Sequence, residues 1–322
     1  MFRFRLVGLL LVVAVAVAGW VLTCGAWRLE QEVARVGPLD DRTFEILTVV
    51  TAGTGGRFEN PERRGPVTAI GFGSRIVLVD AGRAVADALR LSTIPVSQPD
   101  AVYLTNLLPQ NTIGLDNLLL TQWINGRERP LRVVGPAGTR ALADGLLRGH
   151  RQGIAGRAGG LGTAGESPRF DVTEISGGWT EQIGGLSVRA EALPGGPIEA
   201  LGYRFSAGGR SVVVSGTGWS PDALVELSRG ADVLVHEAVF VPTPQIAEEM
   251  GMEADPGLLL REASEHTAIA DVGGLAQRAG VKTLVLVRMR PPPIYDVQIT
   301  SIVDDEFDGR IIIAVDGTEV RP

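Results

Sequence analysis

The sequence predicts an α/β protein built as a four-layer αββα sandwich, two β-sheets face to face with helices outside, preceded by one N-terminal transmembrane helix. Leu6–Thr23 runs without a charge. Strand and helix patterns alternate from Thr43 to Ile154 and again from Ser220 onward. Between these stretches lies a block of consecutive strands, which argues for two stacked sheets and against the runner-up, a doubly wound single sheet.

Composition narrows the function classes. The chain has 322 residues, 45% hydrophobic and 21% charged, a globular balance. Its net charge is −7, and no Lys/Arg run interleaves with aromatics, so a broad nucleic-acid-binding face is not expected. Lys282 is the only lysine, which reflects genome composition rather than function. Cys24 is the only cysteine, so neither an intrachain disulfide nor a Cys-based zinc site can form.

Residues 1–27 form the anchor or signal segment. At 1.5 Å per residue, Leu6–Thr23 spans about 27 Å as a helix, close to the hydrocarbon thickness of a bilayer. Arg3 and Arg5 precede it and place the N-terminus in the cytoplasm, with the rest exported. Cleavage near Ala18, with secretion, is the alternative, but apolar residues continue past that point to Leu22. Residues 28–42 read as a polar connector with a short helix, and 43–322 as the exported domain.

The domain opens with the strand "TFEILTVV". "PVTAIGFGSRIVLVDAG" gives two strands around a Gly-rich turn, and "RAVADALRLS" has helical spacing. Strand "DAVYLTN", helix "GLDNLLLTQWI", strand "LRVVGP" and helix "TRALADGLLRGHRQGI" follow. Gly153–Pro168 reads as a Gly-rich surface segment. The strand block comprises "RFDVTEI", "GLSVRAEAL", "ALGYRFSA" and "RSVVVSG". Helix "SPDALVELSRG", strand "ADVLVHE", helices "DPGLLLREASEH" and "IADVGGLAQRAG", and strand "TLVLVRM" come next. "RIIIAVDGTEV" closes the chain as one strand with a terminal turn.

Several of these segments, in this order, carry a family likeness. "VTAGTGGRFENPERRGP", "VLVDAG", "VVGPAGT", "EALGYRF", "VVVSGTG", "ADVLVHEA" and "HTAIADVGGLAQRAGVKTLVLVRMRP" resemble segments of the metallo-β-lactamase superfamily, nearest to its ribonuclease Z and arylsulfatase-like branch. The likeness spans Phe44 to Val320. It implies one or two metal ions held by His and Asp at loop tips, the first group spaced His-x-His-x-Asp-His. A metal so held lowers the pKa of a bound water and polarises the scissile group. On that frame the ligand positions hold Asn106, Leu108, Gln110 and Asn111, then Gly196, Thr217 and Arg288. Neutral amides are weak donors, Leu108 has no donor, and Arg288 brings a fixed positive charge where a cation would sit. No metal is therefore expected; zinc is the cofactor if a hydrolase with a non-standard site exists.

The likeness also implies an acid–base pair, Glu237 with His266, beside His236. These three are the residual catalytic candidates, against a reading as a hydrogen-bonded pair tying two loops together. Asp80 is read either as a carboxylate that supports catalysis from behind the site or as a loop-bonding one. His150 lies on a helix, far from the loops. Ser215 lacks the Gly-x-Ser-x-Gly context of a nucleophile, and "AGTGG" lacks the Gly-Lys-Ser/Thr of a phosphate loop, so both read as turns. Arg288 with Arg290 either binds an anionic small molecule or pairs internally with Glu237 or Asp80.

The expectation is thus a membrane-tethered pseudoenzyme in a binding or scaffold role, with enzyme status leaning to no. A phosphodiester or sulfate ester hydrolase with a non-standard or metal-free site is the alternative. Expected partners are the membrane through Leu6–Thr23 and an anionic small molecule or envelope protein; related folds pair, so a homodimer stays open.

Overall fold

The β-branched runs of the sequence alternate apolar residues onto two faces, as strands covered on both sides require. In the computed structural model, residues 2–57, 60–160, 167–216, 220–240, 244–249, 257, 265–290 and 296–322 are described. The chain divides into two units, Met1–Asp40 and Asp41–Pro322.

The first unit is one helix, α1 (Phe2–Val36). It absorbs the expected connector, because nothing between Arg28 and Val36 breaks a helix. Side chains are described at Val15 and from Val17 to Val33, and Val15, Trp20, Leu22 and Trp27 are each more than half exposed. Among the described residues no helix is long and apolar enough to cross a membrane, so the expected transmembrane helix gains no support from the fold.

The second unit contains two seven-stranded sheets. The first comprises β1 (Phe44–Gly53), β2 (Val67–Gly73), β3 (Arg75–Val79), β4 (Ala101–Tyr103), β5 (Leu131–Gly135), β6 (Phe170–Glu174) and β14 (Thr318–Val320). Their spatial order is β14-β1-β2-β3-β4-β5-β6. The second comprises β7 (Trp179–Ile183), β8 (Leu186–Ala192), β9 (Leu201–Ala207), β10 (Arg210–Ser215), β11 (Val233–Val239), β12 (Thr283–Arg290) and β13 (Arg310–Ile313). Their order is β13-β12-β11-β10-β9-β8-β7. The αββα sandwich is therefore as expected, and each sheet joins an antiparallel half to a parallel half.

Leu47, Val49, Tyr103, Tyr203, Phe205 and Val285 belong to the core between the sheets. Burying each large apolar side chain is worth about 1.5–3 kcal/mol. Tyr103 stands edge-on to Tyr203 and Phe205, with centroids 5.4 and 5.5 Å apart. The outer face of the first sheet packs on α2 (Val85–Leu91), α4 (Leu115–Ile124) and α5 (Thr139–Gly160). That of the second packs on α6 (Pro221–Ser228), α8 (Ile269–Ala279) and α9 (Asp296–Asp304). Short helices α3 (Pro109–Thr112) and α7 (Pro244–Glu249) complete the described elements.

Several local expectations change. α5 continues through Gly153–Gly160, which the sequence placed in a surface segment. β7, α3, α7 and α9 were not anticipated. "RIIIAVDGTEV" is two strands in different sheets, because Gly317 takes a positive φ of 85° and turns the chain across. The expected helix "DPGLLLREASEH" falls almost wholly outside the described residues.

Candidate functional site

The parallel halves of both sheets bring strand carboxyl ends to one edge of the sandwich, where open α/β sheets present their sites. β3 ends at Val79, and Asp80 follows in the left-handed region at φ 62°. β4 is followed by Thr105 and Asn106, β10 by Gly216, and β11 carries Glu237 near its end.

Arg288 reaches this edge through a local irregularity. Along β12, Val285 and Val287 face the other sheet, while Leu284 and Leu286 face the helices. Alternation would turn Arg288 to the helices as well. Instead the register with β11 slips between Glu237↔Val287 and Val239↔Arg290, and Arg288 takes φ 55°. Such a bulge re-aims one side chain.

The Arg288 guanidinium then closes a buried network. Its Nη2 donates to Asp80 Oδ2 at 2.5 Å. Its Nη1 donates to the Gly216 carbonyl at 2.9 Å and to Asn111 Oδ1 at 3.3 Å. Asp80 Oδ1 also accepts from the Thr105 amide at 2.8 Å and the Thr105 hydroxyl at 3.0 Å. Asn111 Nδ2 donates to Asn106 Oδ1 at 2.8 Å, which also accepts from the Leu108 amide at 3.0 Å. Asn106 Nδ2 is buried and finds no acceptor among the described residues. Asp80, Asn106 and Asn111 are almost wholly buried, and Arg288 is 8% exposed. Burial pushes the Asp80 carboxyl up, opposed by the Arg288 charge and the Thr105 hydrogen bonds. Gly216 leaves room for Thr105, because a Cβ there would lie 2.0 Å from Thr105 Oγ1.

A second pair lies beside the first. His266 Nδ1 and Glu237 Oε1 are 2.8 Å apart. Burial would raise the Glu237 pKa, but the His266 hydrogen bond and the charges of His266, His236 and Arg288 hold it below the ordinary value. His236 does not join this pair. Strand alternation turns it to the helix side, where its Nε2 lies 2.7 Å from Thr267 Oγ1. Burial pushes its pKa down to about 4. His236 therefore holds the loop that carries His266, and the candidate catalytic group narrows to Glu237 and His266.

These residues border a cleft of about 180 Å³ walled by Arg57, Leu108, Gln110, Glu237, His266 and Arg290, with Arg288 beneath. Arg57 and Glu265, another wall residue, were not singled out from the sequence: an isolated charge in a loop carries no distinguishing signal. Gly196, in the β8–β9 loop, is not among the residues lining the cleft. Thr217 lies outside the described residues. Ser215 is buried at the end of β10. The "AGTGG" loop is a packed turn: the Gly55 amide bonds the Arg64 carbonyl at 2.7 Å, and Thr54 bonds Asp316. His150 bonds Asp116 at 2.7 Å on the helical layer.

No profile of a known protein family matches the chain. Whole-chain relatives do. It is 28% identical over 285 residues to a ribonuclease Z of Mycobacterium bovis, covering 86% of this chain and 99% of that one. To the ribonuclease Z of Mycobacterium marinum it is 27% identical over 277 residues, 84% and 97% of the two chains. The fold is shared with the metallo-beta-lactamase fold protein YhfI from Bacillus subtilis, at TM-score 0.66 and 17% identity over 86% and 99% of the chains. Human tRNase Z, short form, gives TM-score 0.61 and 18% identity over 85% and 98%. Over most of its length the chain is thus similar to the ribonuclease Z branch of the metallo-β-lactamase superfamily.

The likeness to that superfamily implies a metal centre, and the side chains at this edge do not fit one. Both Asp80 oxygens are engaged by Arg288 and Thr105. The amides of Asn106 and Asn111 bond each other, and neutral amides hold transition metals weakly. A guanidinium lies among them. Among the described residues, no group of three or more His, Cys, Asp or Glu side chains is placed to hold a metal ion.

Proposed function

We propose that this chain is a pseudoenzyme of that superfamily: a metal-free binding module, tethered to a membrane, with its domain exported. The observation that carries the reading is the Arg288 guanidinium, bonded at once to Asp80, Gly216 and Asn111. It joins loops from β3, β4, β10 and β12 by an internal cation, the kind of cross-link a bound metal would otherwise supply. Tethering is supported by the uncharged run Leu6–Thr23 within α1 and by the exposed apolar side chains of that helix.

The test is elemental analysis of the full chain, purified in detergent after incubation with zinc, manganese and iron. Far less than one bound equivalent is expected, together with no phosphodiester or sulfate ester hydrolysis. One or two tightly held equivalents would sink the proposal.

A second reading is favoured by the names of the relatives and by the Glu237–His266 pair at the cleft: a hydrolase of the ribonuclease Z type with a non-standard site. Glu237 and His266 would move a proton there, an effect worth about 10²–10⁴-fold in rate. Hydrolysis that survives a chelator and disappears in Glu237→Gln would establish it.

A further inference from the structure

We infer that α1 is a dimerisation helix: a second copy of this chain packs on it, parallel and in register, along the seam Val15, Gly19, Leu22, Ala26, Leu29 and Val33. The inference goes beyond the proposed function, and only the parallel direction of the pair rests on the tethering in that reading. The seam residues recur at alternate steps of four and three, and Val12 and Val36 extend the same spacing in the sequence. All of them lie in one unbroken helix. Residues spaced in this way repeat every 3.5 positions, the period of helices that wind around each other rather than of a helix lying on a sheet. From Val12 to Val36 the pattern runs for about three and a half heptads, long enough to argue for a coiled coil.

The half of the seam beyond Thr23 identifies what covers it. Up to Thr23 the helix is apolar all round, and lipid can cover any face. Beyond Thr23, Ala26, Leu29 and Val33 continue the seam among Arg28, Glu30, Gln31 and Glu32, outside the run that a bilayer would hold. Leu29 is 65% exposed and Val33 58%, so nothing else in the chain covers them. Trp27 lies on another flank, with Glu30 between it and the seam at 3.6 residues per turn. A second copy fits this face. Tethered copies enter the membrane in the same direction, so neighbouring α1 helices run parallel. Leu22 and Leu29 take the d positions and Val33 an a position, the side chains that favour two parallel strands. Gly19 and Ala26 take the preceding a positions, where small residues let two backbones approach, and a Cβ at Gly19 would meet nothing within 4 Å. The flanking charges also suit this pairing. In a parallel pair each g position faces the e position five residues further along the other helix, so Gly25 faces Glu30 of the second copy and Glu32 faces its Gly37. No two acidic side chains are opposed.

The experiment introduces single cysteines along α1 of the full chain carrying Cys24→Ser, and oxidises them with copper phenanthroline in membranes of the expressing host and after detergent extraction. Disulfide-linked dimers are expected with Ala26→Cys, Leu29→Cys and Val33→Cys, and about fivefold less with Arg28→Cys and Gln31→Cys, whose Cα atoms stand too far apart across the pair to be bridged. Linkage between identical positions all along the seam requires parallel helices in register. Sedimentation in detergent gives a second readout: Leu29→Glu with Val33→Glu is expected to weaken association at least about tenfold, and Gln31→Glu to leave it unchanged, with urea unfolding of the domain the same in all. Equal linkage on and off the seam overturns the inference, as does linkage at one position alone, which marks crossing or antiparallel helices. Association that survives Leu29→Glu with Val33→Glu overturns it as well, by placing the contact elsewhere. The same linkage pattern in a chain recovered without detergent supports the seam and removes the tethering; a chain held in the membrane fraction without linkage removes only the seam.

Discussion

Asp80 and Arg288 both hold left-handed backbone, at φ 62° and 55°, and their side chains meet at 2.5 Å. Neither is a glycine, so each conformation costs roughly 1–3 kcal/mol. The cost falls on the two residues whose side chains must leave the strand direction to meet at the sheet edge. Packing of the flanking strands offsets it, and the ion pair is what the strain obtains.

Breaking this pair from one side leaves the other charge buried. Arg288→Ala and Asp80→Ala are each expected to cost about 3–5 kcal/mol in urea unfolding. The double variant Asp80→Asn, Arg288→Met is expected to lose less than the sum of its single changes, because no charge is left unpaired. Full additivity would show that the two residues do not act as a pair.

Acid stability should depend on His236. Its pKa is about 4 in the fold and 6.5 in the unfolded chain, so between these values the unfolded state binds more protons. Stability therefore falls as pH drops from about 6.5 to about 4, by on the order of 3 kcal/mol from this group. Glu237, held low, adds a loss in the same direction at still lower pH, because its stabilisation is present above 4.5 and disappears on protonation. Unfolding curves at neutral pH and near pH 5 should converge less steeply in His236→Gln; an unchanged slope would remove His236 as the cause.

Gly216→Ala tests the close approach of β10 to Thr105. A Cβ at 2.0 Å from Thr105 Oγ1 must displace the hydroxyl that bonds Asp80. A loss of about 1–3 kcal/mol is expected, with partial recovery when Thr105→Ala is added. Native stability in the single variant would contradict the packing described.

For the Glu237–His266 pair, His266→Asn is expected to lower thermal stability modestly, by about 1–3 kcal/mol, since it leaves a buried carboxylate without its partner. The same variant measured for phosphodiester hydrolysis separates the two functional readings. No activity in either protein fits a structural tie, whereas activity present in the parent and lost in His266→Asn fits a proton-transfer role.

Much of the architecture was legible because strand runs rich in Val and Ile, bounded by glycine turns, declare themselves by period. The order of segments carried the αββα arrangement, and the absence of His and Asp from Asn106–Asn111 was plain in the residues themselves. The separation of His236 from Glu237 was also legible in principle, since adjacent residues of a strand face opposite sides. β7 was missed because Thr180 and Gln182 face solvent at a sheet edge and a charged residue, Glu181, interrupts the inward face between Trp179 and Ile183. The split of Arg310–Val320 into two sheets was missed because pairing partners far along the chain, not local propensity, choose the sheet.

The sequence by itself determined the chemical inventory: which donors exist, where the strands lie, and that a guanidinium stands near the end of a strand instead of an imidazole. Only the tertiary structure decided what that guanidinium does. Alternation along β12 would send Arg288 to the helices, and a one-residue bulge against β11 sends it to Asp80 instead. Arg57 joins Arg290 at the cleft for the same kind of reason. The two are brought to one place by the meeting of two sheets, a long-range packing event that no local pattern encodes.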